Sequence, residues 1–172
     1  MRLGVLAPMF RPTDVGALVA EAAVRCAAEG HPISVQAEPV VADVDAAKVE
    51  RIVDNLLANA VKHTPAGTDV LARVQREGAF VLIAVDDRGG GVREGEREAV
   101  FELFNRGDAY EGVPGAGIGL SLVAQFAALH GGRAWIEDHP GGGASFRVRL
   151  PIDQAAGPSA RATAQPPAPV HA

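Results

Sequence analysis

Between residues 45 and 62 the apolar residues Val49, Ile52, Val53, Leu56, Leu57 and Ala60 recur at intervals of three and four, which marks one buried stripe of an α-helix starting near Asp45. Such a helix is stable only against an apolar layer that covers the stripe, so the chain must build one. The opposite face is polar. Asn55, Asn59 and Lys62 stand at i, i+4 and i+7 and project together from that side.

The rest of the chain can supply one such layer. With 172 residues, 48% of them hydrophobic, it has material for one sizeable core and little for a second. A single domain is expected over residues 9–152, after a lead-in at 1–8. Residues 153–172 are rich in Ala and Pro with almost no bulky apolar side chains, so a disordered tail is expected there. The net charge of -5, from 21 acidic against 16 basic residues, argues against a nucleic-acid partner, which would need clustered Lys and Arg. The single cysteine, Cys26, excludes an internal disulfide and an all-cysteine metal site and reads as packing. The most apolar run, residues 79–85, is far shorter than the roughly 20 residues that cross a bilayer. The opening MRLGVLAPMF has a brief apolar run broken by Pro8 and no cleavage pattern after it. A cytoplasmic chain without a membrane span is the expectation.

Further elements follow from pattern. Residues 15–28 are rich in helix formers, with Thr13 or Asp14 as the cap, and residues 33–37 alternate as a half-buried strand does. Residues 69–75 and 79–86 predict a hairpin, 97–104 a short helix, and the stretch to about Pro114 a loop long enough to move. Ile118, Leu122, Phe126 and Leu129 predict the core side of another helix, closed by Gly131 and Gly132. Strands at 133–137 and 145–150 form a last hairpin around Gly141, Gly142 and Gly143; Phe146, Val148 and Leu150 face one side and Arg147 and Arg149 the other.

Three places carry chemistry. A neutral Asn carbonyl oxygen suits Mg²⁺ when phosphates supply the anionic ligands, and Lys62 one turn on can meet a phosphate oxygen. The run Asp86-Asp87-Arg88-Gly89-Gly90-Gly91 places a carboxylate at a strand end, where it can accept from an exocyclic amine, beside glycines that let backbone approach a flat base. Gly115-Ala-Gly117-Ile-Gly119-Leu120 opens a helix whose N-terminal amides suit phosphate, and it is neither a dinucleotide fingerprint nor a P-loop. Each alone also fits something plainer: a solvated helix face, a flexible turn, an ordinary loop.

Their order in one chain resembles the catalytic domain of sensor histidine kinases, within the superfamily that also holds the gyrase, Hsp90 and MutL ATPases. Asn55-Leu-Leu-Ala-Asn59-Ala-Val-Lys62 resembles the asparagine box and Asp87-Arg-Gly89-Gly-Gly91-Val the first glycine box. Phe101-Glu-Leu-Phe104-Asn-Arg106 resembles the phenylalanine box, Gly115-Ala-Gly117-Ile-Gly119-Leu the second glycine box, and Leu129-His-Gly-Gly-Arg-Ala-Trp135 the stretch after it. The turn Gly141-Gly-Gly143-Ala-Ser-Phe146 and the pair Leu150 and Pro151 complete a resemblance that spans residues 9–151. It implies an α/β two-layer sandwich with a mixed, mainly antiparallel sheet covered by helices on one face and a mobile lid over ATP. It assigns Asn59 to Mg²⁺, Asn55 and Lys62 to the phosphates, and Asp87 to the adenine amine, with Gly89 and Gly91 shaping the base pocket. Phe104 and the loop to Gly115 become the lid, Gly115, Gly117, Gly119 and Leu120 line the nucleotide, and Arg106 reaches toward the γ-phosphate. Departures are Arg88 where Asn is common, Gly90 where Pro is common and Ala144 where Thr is common.

Two features bear on the activity that this resemblance implies. ATP-hydrolysing relatives and anti-sigma serine kinases usually carry Glu where this chain has Asn55, and an amide cannot take a proton, so transfer to an already nucleophilic histidine fits better than hydrolysis. None of the five histidines, His31, His63, His130, His139 and His171, has the acidic neighbour and downstream Pro of a phosphoacceptor helix. His63 and His130, at helix C-termini, read as cationic caps. The acceptor histidine is therefore expected on a separate dimerisation or phosphotransfer domain, with a response regulator downstream. An opening Met just before the first element and the tail at the far end favour a stand-alone subunit over a fragment. An anti-sigma-type serine kinase and a non-catalytic ATP-dependent interaction module are the alternatives.

Overall fold

The structure is a computed structural model that describes residues 7–28, 30–102 and 118–154. Asp14 closes the first strand, β1 (Arg11–Asp14), and caps the first helix, α1 (Val15–Ala27), by accepting from the Ala17 amide at 3.1 Å. Strands β2 (Ile33–Ala37) and β3 (Val41–Val44) follow, and then α2 (Ala46–His63), the amphipathic helix anticipated from residue 45. The hairpin β4 (Val70–Glu77) and β5 (Phe80–Asp86) turns at Gly78, whose φ of 59° needs glycine. The chain ends through α3 (Ile118–Leu129), β6 (Arg133–Asp138) and β7 (Ala144–Pro151).

The five-stranded sheet runs β2-β4-β5-β7-β6. Only β2 and β4 are parallel, with Ile33 opposite Val70; the other three pairings are antiparallel. Helices lie on one face, α1 over β2 and β4, α2 over β4 and β5, and α3 over β6 and β7. This is the expected two-layer sandwich. Its core joins the predicted stripe of α2, from Val49 to Ala60 and at most 1% exposed, to Val70, Ala72 and Val74, Val81, Ile83 and Val85, and Phe146, Val148 and Leu150 from the sheet. Burying a side chain of that size stabilises by roughly 1.5–3 kcal/mol, so this stripe anchors α2 and fixes which way its polar face points.

Three expectations change. β1 and β3 form a separate antiparallel ribbon, Arg11 opposite Val44, that periodicity did not reveal because each is only four residues long. The short helix expected at 97–104 is a pair of 3₁₀ turns, Glu94–Glu96 and Ala99–Phe101, with 103 and 104 outside the described residues. In α3 the residues turned fully inward are Ser121, Val123 and Ala127, followed by His130, while Leu122, Phe126 and Leu129 are half-buried. This helix is apolar nearly all round, so spacing alone could not pick its inner face, and the small residues took it because they let the helix approach the sheet closely. Gly131, at φ 75°, ends the helix as foreseen: its amide bonds Ala128 and the Gly132 amide bonds Ala127. A Cβ on Gly132 would come within 1.9 Å of the Arg149 carbonyl oxygen, so the cap also docks onto β7.

His130 corrects a further expectation. It is fully buried rather than a solvent-facing cation, and burial holds its imidazole below the usual value despite pulls from Phe126 and Asp45. Its Nδ1 donates to the Phe126 carbonyl at 2.6 Å, which leaves Nε2 to accept the Asp45 amide at 3.1 Å. Asp45 in turn caps α2 through the Lys48 amide and accepts from the Met9 amide at 3.0 Å. Burial would raise the Asp45 carboxyl, yet the hydrogen bonds from Met9 and Lys48 outweigh it and hold the group low. One neutral imidazole thus joins the end of α3 to the start of α2 and the incoming chain. Because the folded value lies below 6.5, stability is full above that pH and falls as the medium is acidified through the window beneath it. Urea midpoints should therefore drop between pH 7.5 and 5.5. A His130→Phe variant, which leaves the Asp45 amide unpaired, should lose about 1–3 kcal/mol at pH 7.5 and a smaller further amount on acidification. An equal acid loss in both proteins would contradict the assignment.

Candidate nucleotide site

Strand β5, buried at all seven positions, delivers two adjacent carboxylates whose side chains fall on opposite faces of the sheet. Asp86 faces away from the helices, and Arg73 takes both its oxygens, Nε to Oδ2 at 2.7 Å and Nη2 to Oδ1 at 3.1 Å. It is a structural ion pair. Asp87, 3% exposed, spends a single oxygen: Oδ1 accepts from the Gly89 amide at 3.0 Å and the Ala144 amide at 3.2 Å, while its own amide donates to the Ala144 carbonyl at 2.9 Å. Among the described residues no hydrogen bond reaches Oδ2. The sequence offered two candidate carboxylates at this strand end, and geometry leaves one with an oxygen to give.

The glycines around Asp87 are where backbones touch. A Cβ on Gly89 would lie 2.4 Å from the His63 carbonyl oxygen, so this loop presses on the last turn of α2. Gly143, at φ 93°, would carry a Cβ 2.0 Å from the Asp87 carbonyl oxygen. The triple glycine of the β6–β7 turn therefore does more than reverse the chain: it lets β7 begin directly against Asp87. Gly91 needs its φ of 72°, whereas Gly90 has nothing within 4 Å of the place a Cβ would take, so a larger residue would fit there.

On α2, Asn55 and Asn59 are half-buried and Lys62 is exposed, all on the face turned from the core. Among the described residues the buried Asn55 amide nitrogen Nδ2 has no hydrogen-bond partner, and its Oδ1 lies 3.3 Å from where Gly119 would carry a Cβ. The first turn of α3 is thus seated against Asn55, and Leu120 packs half-buried against the core. At the last residue of α2, His63, desolvation and then the Lys62 charge lower the imidazole, with Asp87 pulling the other way. Among the described residues no group of three His, Cys, Asp or Glu could hold a metal, so a cation here would depend on amide oxygen and on phosphate.

The structure brings Asp87 and Gly89 to the C-terminal end of α2, Gly91 to the turn at Gly143, and Asn55 to Gly119. Phe104, Arg106, Gly115 and Gly117, with the lid they were assigned to, lie outside the described residues. Sequence reading missed Gly143 and the Ala144 amide as supports of Asp87. The available signal was three consecutive glycines, more than a reversal needs, just before the strand that pairs Ser145 with Asp86. No described helix is long and apolar enough to cross a membrane.

Comparison with known proteins agrees with this fold. Residues 44–154 match the histidine kinase-, DNA gyrase B- and HSP90-like ATPase family. The sensor-type histidine kinase PrrB of Mycobacterium tuberculosis is 54% identical over 99 residues, 58% of this chain and 22% of that protein. The sensor histidine kinase MtrB of Mycobacterium bovis is 38% identical over 141 residues, 81% of this chain and 24% of that protein. The chain thus spans about a quarter or less of these curated relatives. Among solved structures, the ATP-binding domain of PrrB from Mycobacterium tuberculosis aligns at TM-score 0.64 and 38% identity, covering 84% of this chain and 98% of that one. The mycobacterial sensor histidine kinase MprB aligns at TM-score 0.74 and 28% identity, covering 82% and 97%. The chain belongs to the histidine kinase-, DNA gyrase B- and HSP90-like ATPase family, as a catalytic domain of the sensor histidine kinase kind.

Proposed function

We propose that this chain binds Mg²⁺-ATP and transfers the γ-phosphoryl group to a histidine on a separate dimerisation or phosphotransfer domain, from which it passes to a response-regulator aspartate. The observation that carries the nucleotide reading is Asp87: a buried carboxylate held through one oxygen by two main-chain amides, with the other left for a donor such as the adenine amine. Gly89 and Gly91 shape the base pocket. The side chains on α2 fit a phosphate-bound cation, since the buried Asn55 amide nitrogen, without a partner among the described residues, can donate to a phosphate oxygen, and Asn59, one turn on, can offer its carbonyl oxygen to the cation. Asn59 then holds Mg²⁺ and Asn55 and Lys62 meet the phosphates. Mg²⁺ neutralises charge on the phosphate oxygens. Gly119 and Leu120 line the nucleotide with Gly115 and Gly117, Phe104 belongs to a lid that excludes water, and Arg106 reaches the γ-phosphate.

In the transfer, an imidazole nitrogen of the acceptor forms the new P–N bond as the bond from the γ-phosphorus to the β,γ-bridging oxygen breaks, and ADP leaves. That nitrogen already has a lone pair, so no side chain need deprotonate it, which suits Asn55 in place of a carboxylate. The relatives named above are sensor histidine kinases, and nothing favours the serine-kinase alternative or a module without turnover. The chemistry is placed in the cytoplasm, where ATP is available.

Radiolabelled ATP supplied with a candidate partner's helical hairpin should label the hairpin in an acid-labile, alkali-stable form. Label on this chain alone, or acid-stable label on a partner serine, would contradict the reading. Separately, calorimetry of Asn59→Ala should show at least about tenfold weaker ATP binding at saturating Mg²⁺ and little change in EDTA. An equal loss in both conditions would remove Asn59 from the metal.

A further inference from the structure

The sheet face turned away from the helices carries its own organisation. On β5 the residues Phe80, Leu82 and Ala84 point to this side and are at most 6% exposed, yet they stand outside the helix-side core. Long side chains of the neighbouring strands border them. The Arg149 guanidinium lies 4.3 Å from the centre of the Phe80 ring, and that of Arg133 lies 4.4 Å from Trp135. Four arginines share the face. Arg73 is committed to Asp86, and Arg147 is within 3.1 Å of Glu137. Arg133 and Arg149 are not so committed: among the described residues neither has a carboxylate within ion-pair distance. They stand directly opposite each other across β6 and β7, an arrangement in which like charges destabilise a sheet. Burial, and then the facing Arg133, lower the Arg149 guanidinium from its usual value, with Glu77 pulling the other way, and its Nε is buried without a partner among the described residues.

We propose that Arg133 and Arg149 anchor a docking surface for an acidic segment of a partner protein, whose carboxylates bridge the two guanidiniums while an apolar side chain lies beside Trp135. This does not depend on the function proposed above. Charge complementarity favours that occupant. A carboxylate relieves the repulsion between the facing arginines and can accept from guanidinium N–H groups that the neighbouring aromatic rings cannot satisfy. Among the described residues this face offers two uncommitted cations on a chain of net charge -5, too few for a nucleic-acid or anionic-membrane surface.

Trp135 is the only tryptophan in the chain, so its fluorescence reports on this face. With the full chain in low salt, hexaglutamate should change that fluorescence saturably, and 0.5 M NaCl should weaken the apparent affinity at least about tenfold. Arg133→Glu, which places an acid opposite Arg149, should abolish the response. Its thermal midpoint should hold or rise by about 1–4 °C. Arg133→Gln, which removes the charge alone, should weaken binding at least about fivefold, with ATP affinity unchanged in both variants. No saturable change up to millimolar peptide, or an undiminished response in both variants, would overturn the proposal. So would an equal response to a single-stranded oligonucleotide or to phosphatidylserine vesicles at matched charge.

Discussion

One oxygen of one side chain, Asp87 Oδ1, receives two main-chain amides from segments distant in sequence, Gly89 just after β5 and Ala144 at the start of β7. A carboxylate in that position is fixed in orientation by charge-assisted bonds, and removing it would leave two amides without their acceptor in a buried setting. Around it the chain has no room to spare. Gly89 touches the end of α2, and Gly143 touches Asp87 itself. The candidate site is therefore a place where the asparagine helix, the strand β5 and the last hairpin are brought to a common point by backbone contact.

The amphipathic helix was legible because its stripe had to be buried whatever else the chain did, and the alternation in β7 had the same origin. Asp87 was singled out by the resemblance to the first glycine box, while residue type alone did not separate it from Asp86. Which of the two stayed available depended on Arg73, on a neighbouring strand, and no local pattern encodes that pairing. The inner face of α3 was not legible because the helix is apolar nearly all round. His130 was misread for a related reason: position at a helix end predicts a cation, but tertiary burial against Asp45 decided for the neutral ring. The contribution of Gly143 lay in a close approach between two segments, which sequence records only as an excess of glycine.

The two faces of the sheet differ in what they ask of β5. Toward the helices it meets the stripe of α2 and holds Asp87 at the site; away from them its apolar residues are flanked by arginines and Asp86 is neutralised by Arg73. Pairing Asp86 with Arg73 removes a second negative charge from the vicinity of a group proposed to stand near a nucleotide. The His130 tie lies at the other end of α3 from Gly119, so the element that touches Asn55 also holds the N-terminal cap of the asparagine helix.

The claim on which the functional account rests is that Asp87 Oδ2 accepts the exocyclic amine of adenine. Inosine triphosphate, which has a carbonyl oxygen in place of that amine, tests it directly in a calorimetric titration beside ATP. The account predicts that the folded wild-type chain binds ATP at least about tenfold more tightly than inosine triphosphate, and that Asp87→Asn, which offers an amide donor where Oδ2 stood, erases or inverts the preference. Equal affinity of the wild-type chain for the two nucleotides would contradict it.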